Sequence, residues 1–220
     1  MSDVLELARE LGHERVLIVQ EPAVGLRAVI AIHDTTLGRA IGGTRMRCYP
    51  AFGDAVEDAL RLSHAMTAKA TFAGMACGGG KAVICGDPLR DKTPELLLAF
   101  GRVVEELGGR FFTGGDMGID AADLAVMGRA TSHIGHTPTT AGVDASDLTA
   151  IGVVSAMEVV AERLGKPLSI CTVALQGLGE VGGRLAEKLA GKGVDLIVTD
   201  TVLARTDAVV RATGARAVSP

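Results

Sequence analysis

The sequence predicts an α/β protein in which strands alternate with crossover helices, and three observations carry that prediction. Short β-branched or apolar runs recur between longer segments of helical periodicity, as in Thr172–Gln176, Val181–Gly191 and Asp195–Thr199. Gly-rich turns punctuate the junctions, with 29 glycines in 220 residues. Nearly half of the residues are apolar (48%), enough to build real cores and to argue against disorder.

Taken in order, Val4, Leu5, Leu7 and Leu11 fall on one face of a short helix. Arg15–Gln20 and Arg27–His33 read as strands joined by a turn over Glu21–Gly25. GRAIGGTRMR, from Gly38 to Arg47, reads as a Gly-rich crossing. Helical periodicity then runs from Asp54 to about Ala70, with Ala55, Val56, Ala59, Leu60 and Leu62–Ser63 as its apolar stripe. GMACGGGK leads into a short apolar strand, Ala82–Cys85. Thr93-Pro94-Glu95 predicts a helix start, with Thr93 as N-cap, and Gly108-Gly109 its end. Arg110–Thr113 is strand-like, and Asp147 is placed to cap a helix through Leu164. After Asp195–Thr199 come a helix over about Ala204–Thr213 and a stub strand, Ala215–Val218. The alternation implies a parallel sheet. The polar stretch Thr137–Ser146 is the expected boundary, giving domains 1–143 and 144–220.

Several function classes drop out. The formal charge of −4 offers no electrostatic basis for a nucleic-acid partner. No apolar run reaches the ~18 residues of a spanning helix, and the acidic, amphipathic MSDVLELARELG does not have the shape of a signal peptide. Cys48, Cys77, Cys85 and Cys171 are scattered, which predicts free thiols in a reducing cytoplasm and no structural zinc. His13, His33, His64, His133 and His136 show no ligand spacing, so packing or surface roles are expected and no metal site is predicted.

Gly177-Leu178-Gly179-Glu180-Val181-Gly182 matches G-x-G-x-x-G. Alone the motif is weak; here it follows an apolar strand, opens a helix and has Asp200 at the end of the next strand. Gly177 makes the tight turn, Gly179 admits a pyrophosphate, and Gly182 permits close helix–strand packing. Asp200 is expected to accept from the adenine-ribose hydroxyls and to repel a 2′-phosphate, which favours NAD over NADP. In the first half, Lys81 closes Gly78-Gly79-Gly80. The run fails the phosphate-loop pattern, because Met75 stands six residues before Lys81 and Ala82 follows it. A lone lysine is ordinarily a solvated charge. Lys81 departs from that default by lying between three glycines and AVIC, which suggests close backbone approach to a small ligand; Lys69 gains no such support from its neighbours.

These residues resemble one family. LGRAIGGTRM (Leu37–Met46), MTAKATFAGMACGGGKAVICGDP (Met66–Pro88), TGGDMG (Thr113–Gly118), LTAIGV (Leu148–Val153) and VALQGLGEVG (Val173–Gly182) look like the successive motifs of the Glu/Leu/Phe/Val dehydrogenases, nearest the leucine, valine and phenylalanine branch. The resemblance implies an N-terminal substrate-binding and oligomerisation domain, then a partial Rossmann NAD-binding domain, with reaction in the cleft between them. It implies Lys69 as the ligand of the substrate α-carboxylate, Lys81 as the catalytic lysine and Asp116 as the proton-shuttling acid. It also sets Thr149 beside the nicotinamide. Ile41, Gly43, Met66 and Gly114 are the implied substrate contacts. Glutamate-type members carry lysine where Ile41 stands, so an apolar substrate is expected, and Gly114 leaves room for a large side chain. A lysine near a second ammonium would have a lowered pKa and could serve as base.

The implied reaction is reversible, NAD-dependent oxidative deamination of an apolar L-amino acid to its 2-oxo acid and ammonia, in a cytoplasmic homo-oligomer with Arg15–Gln20 as a candidate edge. Chains of this family continue into further strands, an Asn-containing loop that holds the nicotinamide amide, and C-terminal helices. The resemblance therefore implies a piece of a longer gene product; the alternative is a short, non-catalytic form that binds amino acids or dimerises.

Overall fold

The computed structural model describes residues 4–135 and 145–220, and the chain divides into two compact units, Met1–His136 and Thr137–Pro220. Of the expected boundary stretch, residues 137–144 lie outside the described residues, as does His136.

The first unit is built on a five-stranded sheet. Its strands are β1 (Arg15–Glu21), β2 (Leu26–Ile32), β3 (Ala40–Arg47), β4 (Gly78–Cys85) and β5 (Phe111–Gly115), in spatial order β1-β2-β4-β3-β5. β1 pairs antiparallel with β2 and β2 antiparallel with β4, whereas β3 runs parallel to both β4 and β5. The sheet is therefore mixed, not wholly parallel. A short 3-10 turn, Pro22–Val24, lies within the expected Glu21–Gly25 turn and joins β1 and β2 as a hairpin, with Gly25 left-handed at φ 71°.

Two helical layers cover it. α1 (Val4–Leu11) and α2 (Phe52–Phe72) lie on one face, where Leu7, Ala55, Val56, Ala59 and Leu60 bury against Val29, Ala31, Val83 and Cys85. α3 (Pro94–Glu106) and α4 (Ala121–Met127) take the other face, where Leu96, Phe100, Val104, Leu124 and Met127 meet Ile30, Ile32, Ile84 and Phe111. The odd and even residues of β4 thus feed two different cores, as the two-residue period of a strand requires. Thr93 caps α3 by accepting from Leu96 N at 3.2 Å. Asp120 caps α4, a helix with no counterpart among the sequence expectations, by accepting from Ala122 N and Asp123 N.

The segment expected to be a Gly-rich crossing is the inner strand β3. The glycine triplet expected to approach a ligand is the start of β4, the central strand, and all eight of its residues are buried. Steric space explains both differences. A Cβ on Gly42 would stand 1.6 Å from Gly80 O, and one on Gly79 would stand 2.2 Å from Thr67 N and 2.4 Å from Ser63 O of α2. On Gly80 it would meet the Phe111 ring at 2.7 Å, and on Gly78 the Asp34 carbonyl at 1.6 Å. These glycines let strand meet strand and helix meet sheet, so the close approach is between parts of the protein itself.

The second unit holds β6 (Thr172–Gln176), β7 (Asp195–Thr199) and β8 (Arg216–Ala217), parallel in that order, with α5 (Ala145–Arg163), α6 (Glu180–Ala190) and α7 (Leu203–Thr213). Ala150, Val154, Leu185, Ala186, Leu189, Leu196, Val198 and Val209 share its core. This is a partial Rossmann-like sheet, and α5 begins at Ala145, so Asp147 lies in its first turn, paired with Lys188 at 2.7 Å, and is not its cap. Among the described residues no helix is long and apolar enough to cross a membrane.

Overpacking at a backbone contact has no flexible neighbour to absorb it. Gly42→Ala should therefore destabilise by about 3 kcal/mol or more. Gly53→Ala, where a Cβ meets nothing within 4 Å, should stay within roughly 0.5 kcal/mol of the parent. Urea melts of the two variants check this, and equal midpoints would refute the packing role.

Candidate active site

Strand pairing decides which side chains share a face. Ile41 of β3 stands opposite Gly79 of β4 and Phe112 of β5, Gly43 opposite Gly114, and Arg45 opposite Val83. With alternation along each strand, Ile41, Gly43, Arg45, Lys81 and Gly114 all point to the α2 side of the sheet. α2 packs closely over β4, while Ile41, Gly43, Arg45 and Gly114 remain half-buried. The outcome is a shelf on the sheet face bordered by α2.

Asp116 reaches this shelf from the turn that follows β5. Ile119 N donates to Asp116 O at 2.9 Å and closes the turn, and Gly118 takes φ 79°. A Cβ on Gly43 would press on Gly115 O at 2.8 Å and on Asp116 Cβ at 3.0 Å, so Gly43 lets the turn fold down onto β3. The turn is tied further: Met46 N donates to Met117 O at 2.8 Å, and Lys92 Nζ donates to Gly118 O at 3.1 Å and to Asp123 Oδ2 at 2.6 Å.

Within the shelf, Lys81 Nζ donates to Asp116 Oδ2 at 2.6 Å, with the lysine side chain only 8% exposed. The sequence reading set Lys81 near a second ammonium; the group that meets its Nζ is a carboxylate. Arg45 Nε donates to the same oxygen at 2.9 Å, while its Nη1 donates to Asp58 Oδ2 at 3.0 Å, and Tyr49 Oη donates to that atom at 2.5 Å. Burial alone would raise the pKa of Asp116, but Lys81, Met117 N–H and Arg45 outweigh it and hold the carboxyl below its usual range. Burial, then the Asp58 carboxylate, push the Tyr49 phenol up, so it remains a donor. Arg45, Asp58 and Tyr49 were not among the residues singled out from sequence. The signal available was Arg45 itself, two residues beyond Gly43 on the same strand face.

The remaining expected substrate residues are placed as follows. Lys69 lies in the last turn of α2, exposed and without an ion-pair partner among the described residues, and Met66 is half-buried one turn earlier. Gly114 differs from its glycine neighbours. The nearest atom to a Cβ there is Gly135 O at 3.5 Å, so the fold does not require glycine at this position.

In the second unit the glycine loop has the shape expected for a dinucleotide. Gly177 is left-handed at φ 91°, and a Cβ on Gly182 would lie 2.0 Å from Gly177 O. Gly179 caps α6 with nothing within 4 Å of where a Cβ would be, so the helix N-terminus is open to a phosphate. Leu178 is buried and Val181 half-buried, both packed in the unit's core. Glu180, which would face a pyrophosphate with like charge, is paired with Arg184 Nη1 at 2.7 Å. A recess of about 530 Å³ at this end is lined by Leu178, Gly179, Glu180, Gly183, Arg184 and Arg205, among others. Asp200 is turned inward. It is 7% exposed and accepts from Leu178 N at 2.6 Å and from Val202 N at 2.7 Å, and these two N–H groups hold its pKa down. Thr149 lies on the exposed side of α5. No cluster of three or more His, Cys, Asp or Glu among the described residues could hold a metal. His33 is instead bonded to Thr67 Oγ1 at 2.7 Å and to Leu11 O at 2.8 Å.

Removing the Asp116 charge leaves two cations facing each other, so Asp116→Asn should cost about 1–3 kcal/mol at neutral pH. A carboxyl whose folded pKa is depressed contributes stability above its unfolded value, near ~3.9, and loses it as pH falls through the lower folded value. The stability gap between parent and Asp116→Asn should therefore close below about pH 4. A gap that stays constant down to acid unfolding would contradict the pairing.

Comparison with known proteins places this geometry. Residues 13–133 match the family model of the Glu/Leu/Phe/Val dehydrogenase dimerisation domain. The chain is 48% identical over 193 residues to a phenylalanine dehydrogenase of Lysinibacillus sphaericus, covering 86% of this chain and 51% of that protein. It is 47% identical over 193 residues to a valine dehydrogenase of Streptomyces coelicolor, covering 86% and 53%. The crystal structure of L-tryptophan dehydrogenase from Nostoc punctiforme superposes with a TM-score of 0.70 at 40% identity, covering 99% of this chain and 62% of that one. The chain spans about half the length of the curated relatives it matches. On the match across its first unit and the identity that continues through its glycine loop, this chain belongs to the Glu/Leu/Phe/Val dehydrogenase family.

Proposed function

We propose that this chain carries the substrate-binding and dinucleotide-binding elements of an NAD-dependent dehydrogenase that deaminates an apolar L-amino acid. The observation that carries the reading is the pair between buried Lys81 and half-buried Asp116 on a half-open shelf lined by Ile41, Gly43 and Gly114. The relatives named phenylalanine, valine and L-tryptophan dehydrogenase support the class of reaction.

On this reading, the exposed ammonium of Lys69 binds the substrate α-carboxylate. Ile41 and Met66 line the side-chain pocket, and Ile41 offers no charge for a glutamate γ-carboxylate. Asp116 exchanges protons with the substrate nitrogen at its carboxylate. Lys81 is the proton-holding group beside the reacting carbon: it takes a proton from the attacking water in deamination and polarises the carbonyl oxygen in the reverse direction. NAD, when bound, accepts the hydride from Cα. Water adds to the resulting imine carbon, and ammonia leaves with the 2-oxo acid. Gly177, Gly179 and Gly182 at the N-terminus of α6 would hold the dinucleotide, with Thr149 as the residue expected on its nicotinamide side. Asp200 keeps a negative charge fixed beside that loop, which favours NAD over its 2′-phosphorylated form. Family membership itself accords with either nicotinamide dinucleotide.

Two further features fit the same reading. β1 is an edge strand with Ile18 60% exposed, suited to pairing with a second copy of the chain in a homo-oligomer. All four cysteines are free, as suits a reducing cytoplasm.

NADH formation with leucine, valine, phenylalanine and glutamate tests the proposal. Turnover is expected on the apolar substrates, with at least a hundredfold loss in Lys81→Ala. A folded chain that binds amino acid without turnover would support the non-catalytic alternative. Gly114→Ala should fold normally, given the space at that position, yet lose activity on phenylalanine several-fold relative to valine. An unchanged ratio would remove Gly114 from the pocket.

A further inference from the structure

We infer that Arg45 is a positioning residue for the deamination proposed above: it fixes the Asp116 carboxylate against Lys81 and is itself fixed by Asp58 and Tyr49. The inference rests on that reading for its catalytic meaning, but its geometry stands apart from it.

Four elements meet in one chain of bonds. Tyr49 Oη and Arg45 Nη1 both donate to Asp58 Oδ2 of α2, and Arg45 Nε and Lys81 Nζ both donate to Asp116 Oδ2. The guanidinium therefore spans two carboxylates, one on α2 and one in the turn after β5. Only a planar fork with donors in two directions can do this; a lysine ammonium in its place would supply the charge but not the span. The Arg45 side chain is 17% exposed, so its charge acts with little screening, and burial, which opposes that charge, is outweighed by Asp116 and Asp58. The Arg47 guanidinium lies over the Tyr49 ring, 5.0 Å from its centre.

The charged groups facing Asp116 are thus Lys81 from β4, Arg45 from β3 and, behind Arg45, Asp58 from α2. On the turn's other side, Lys92 is committed to Asp123 and Gly118 O. Two cations and two carboxylates balance. Lys81 must exchange protons and contact substrate, so it cannot also be a constant anchor. Arg45 titrates far above any working pH and can. A proton-shuttling Asp116 needs such an anchor to keep its orientation while Lys81 changes charge.

The test uses the full chain with two substitutions. In Arg45→Gln the midpoint of the Asp116 carboxyl titration, read by carbon-13 NMR and assigned with Asp116→Asn, should rise by about one pH unit or more. The acid limb of kcat/KM should move with it. A purely structural role would lower activity without moving either midpoint, and an unmoved midpoint in folded Arg45→Gln overturns the inference. Arg45→Lys, which keeps the charge, should hold the midpoint near that of the parent yet lower kcat roughly tenfold with KM little changed. Parent-like kcat in Arg45→Lys would show that the two-way span is not needed and also overturns it. If the parent chain shows no turnover, the deamination reading fails, while the NMR titration still decides whether Arg45 governs Asp116.

Discussion

The first unit depends on how closely the backbones of β3 and β4 approach. A side chain on Gly42 would overlap the Gly80 carbonyl of β4, one on Gly80 the Phe111 ring of β5, and one on Gly79 the backbone of α2. Because β4 is the central strand, this compaction sets the positions of everything attached to it. Lys81 is one residue beyond the glycines on the same strand. Its location relative to β3, β5 and α2 is fixed by backbone contact and not by the packing of adjustable side chains. That rigidity matters for a lysine 8% exposed, since a buried ammonium is tolerable only if its partner is held in place.

The partner is held by a second set of constraints, all polar. Asp116 sits in a turn whose backbone is tied to β3 through Met46 and to Lys92 through Gly118 O. Gly43 supplies the room for it. The apolar cores on the two faces of the sheet position the strands, and the ion network positions the chemistry on one face only. α2 covers the β4 side of the shelf, while the β3 and β5 side stays half-open.

Much of the fold was legible in the sequence, and the exceptions have one cause. The caps and stripes of α3, α2 and α6 are local signals, and Thr93, the Ala55–Leu60 stripe and the Gly177–Gly182 loop reported them directly. β3 was missed because Gly42 answers to Gly80 and Gly43 to Gly115, neighbours far along the chain, a tertiary demand that local propensity opposes. The same demand made the Gly78–Gly80 run look like a ligand loop. The turn joining β1 and β2 was legible at Glu21–Gly25, but the alternation of strand and helix further along the chain implied a parallel sheet, whereas β1, β2 and β4 pair antiparallel. α4 is short, and its signal, Asp120 with Asp123 three residues on, is intelligible only once the Asp116 turn is seen to end beside it.

At the site, the resemblance carried residue identities, and the structure adds what those residues do for each other. Asp200 makes the difference concrete. By motif it is the residue that meets the ribose; in the fold its carboxylate already accepts from Leu178 N and Val202 N, closing the glycine loop onto the end of β7. Each carboxylate oxygen has more than one acceptor direction, so these bonds do not preclude a ribose hydroxyl. They do mean that one side chain both shapes the loop and fixes a negative charge beside it. Arg205 Nη1, 3.9 Å from Asp200 Oδ2, adds a cation at the same edge. Replacing Asp200 would also release the two backbone bonds that hold the glycine loop, whereas changing Arg205, 55% exposed, alters the local charge and leaves those bonds in place.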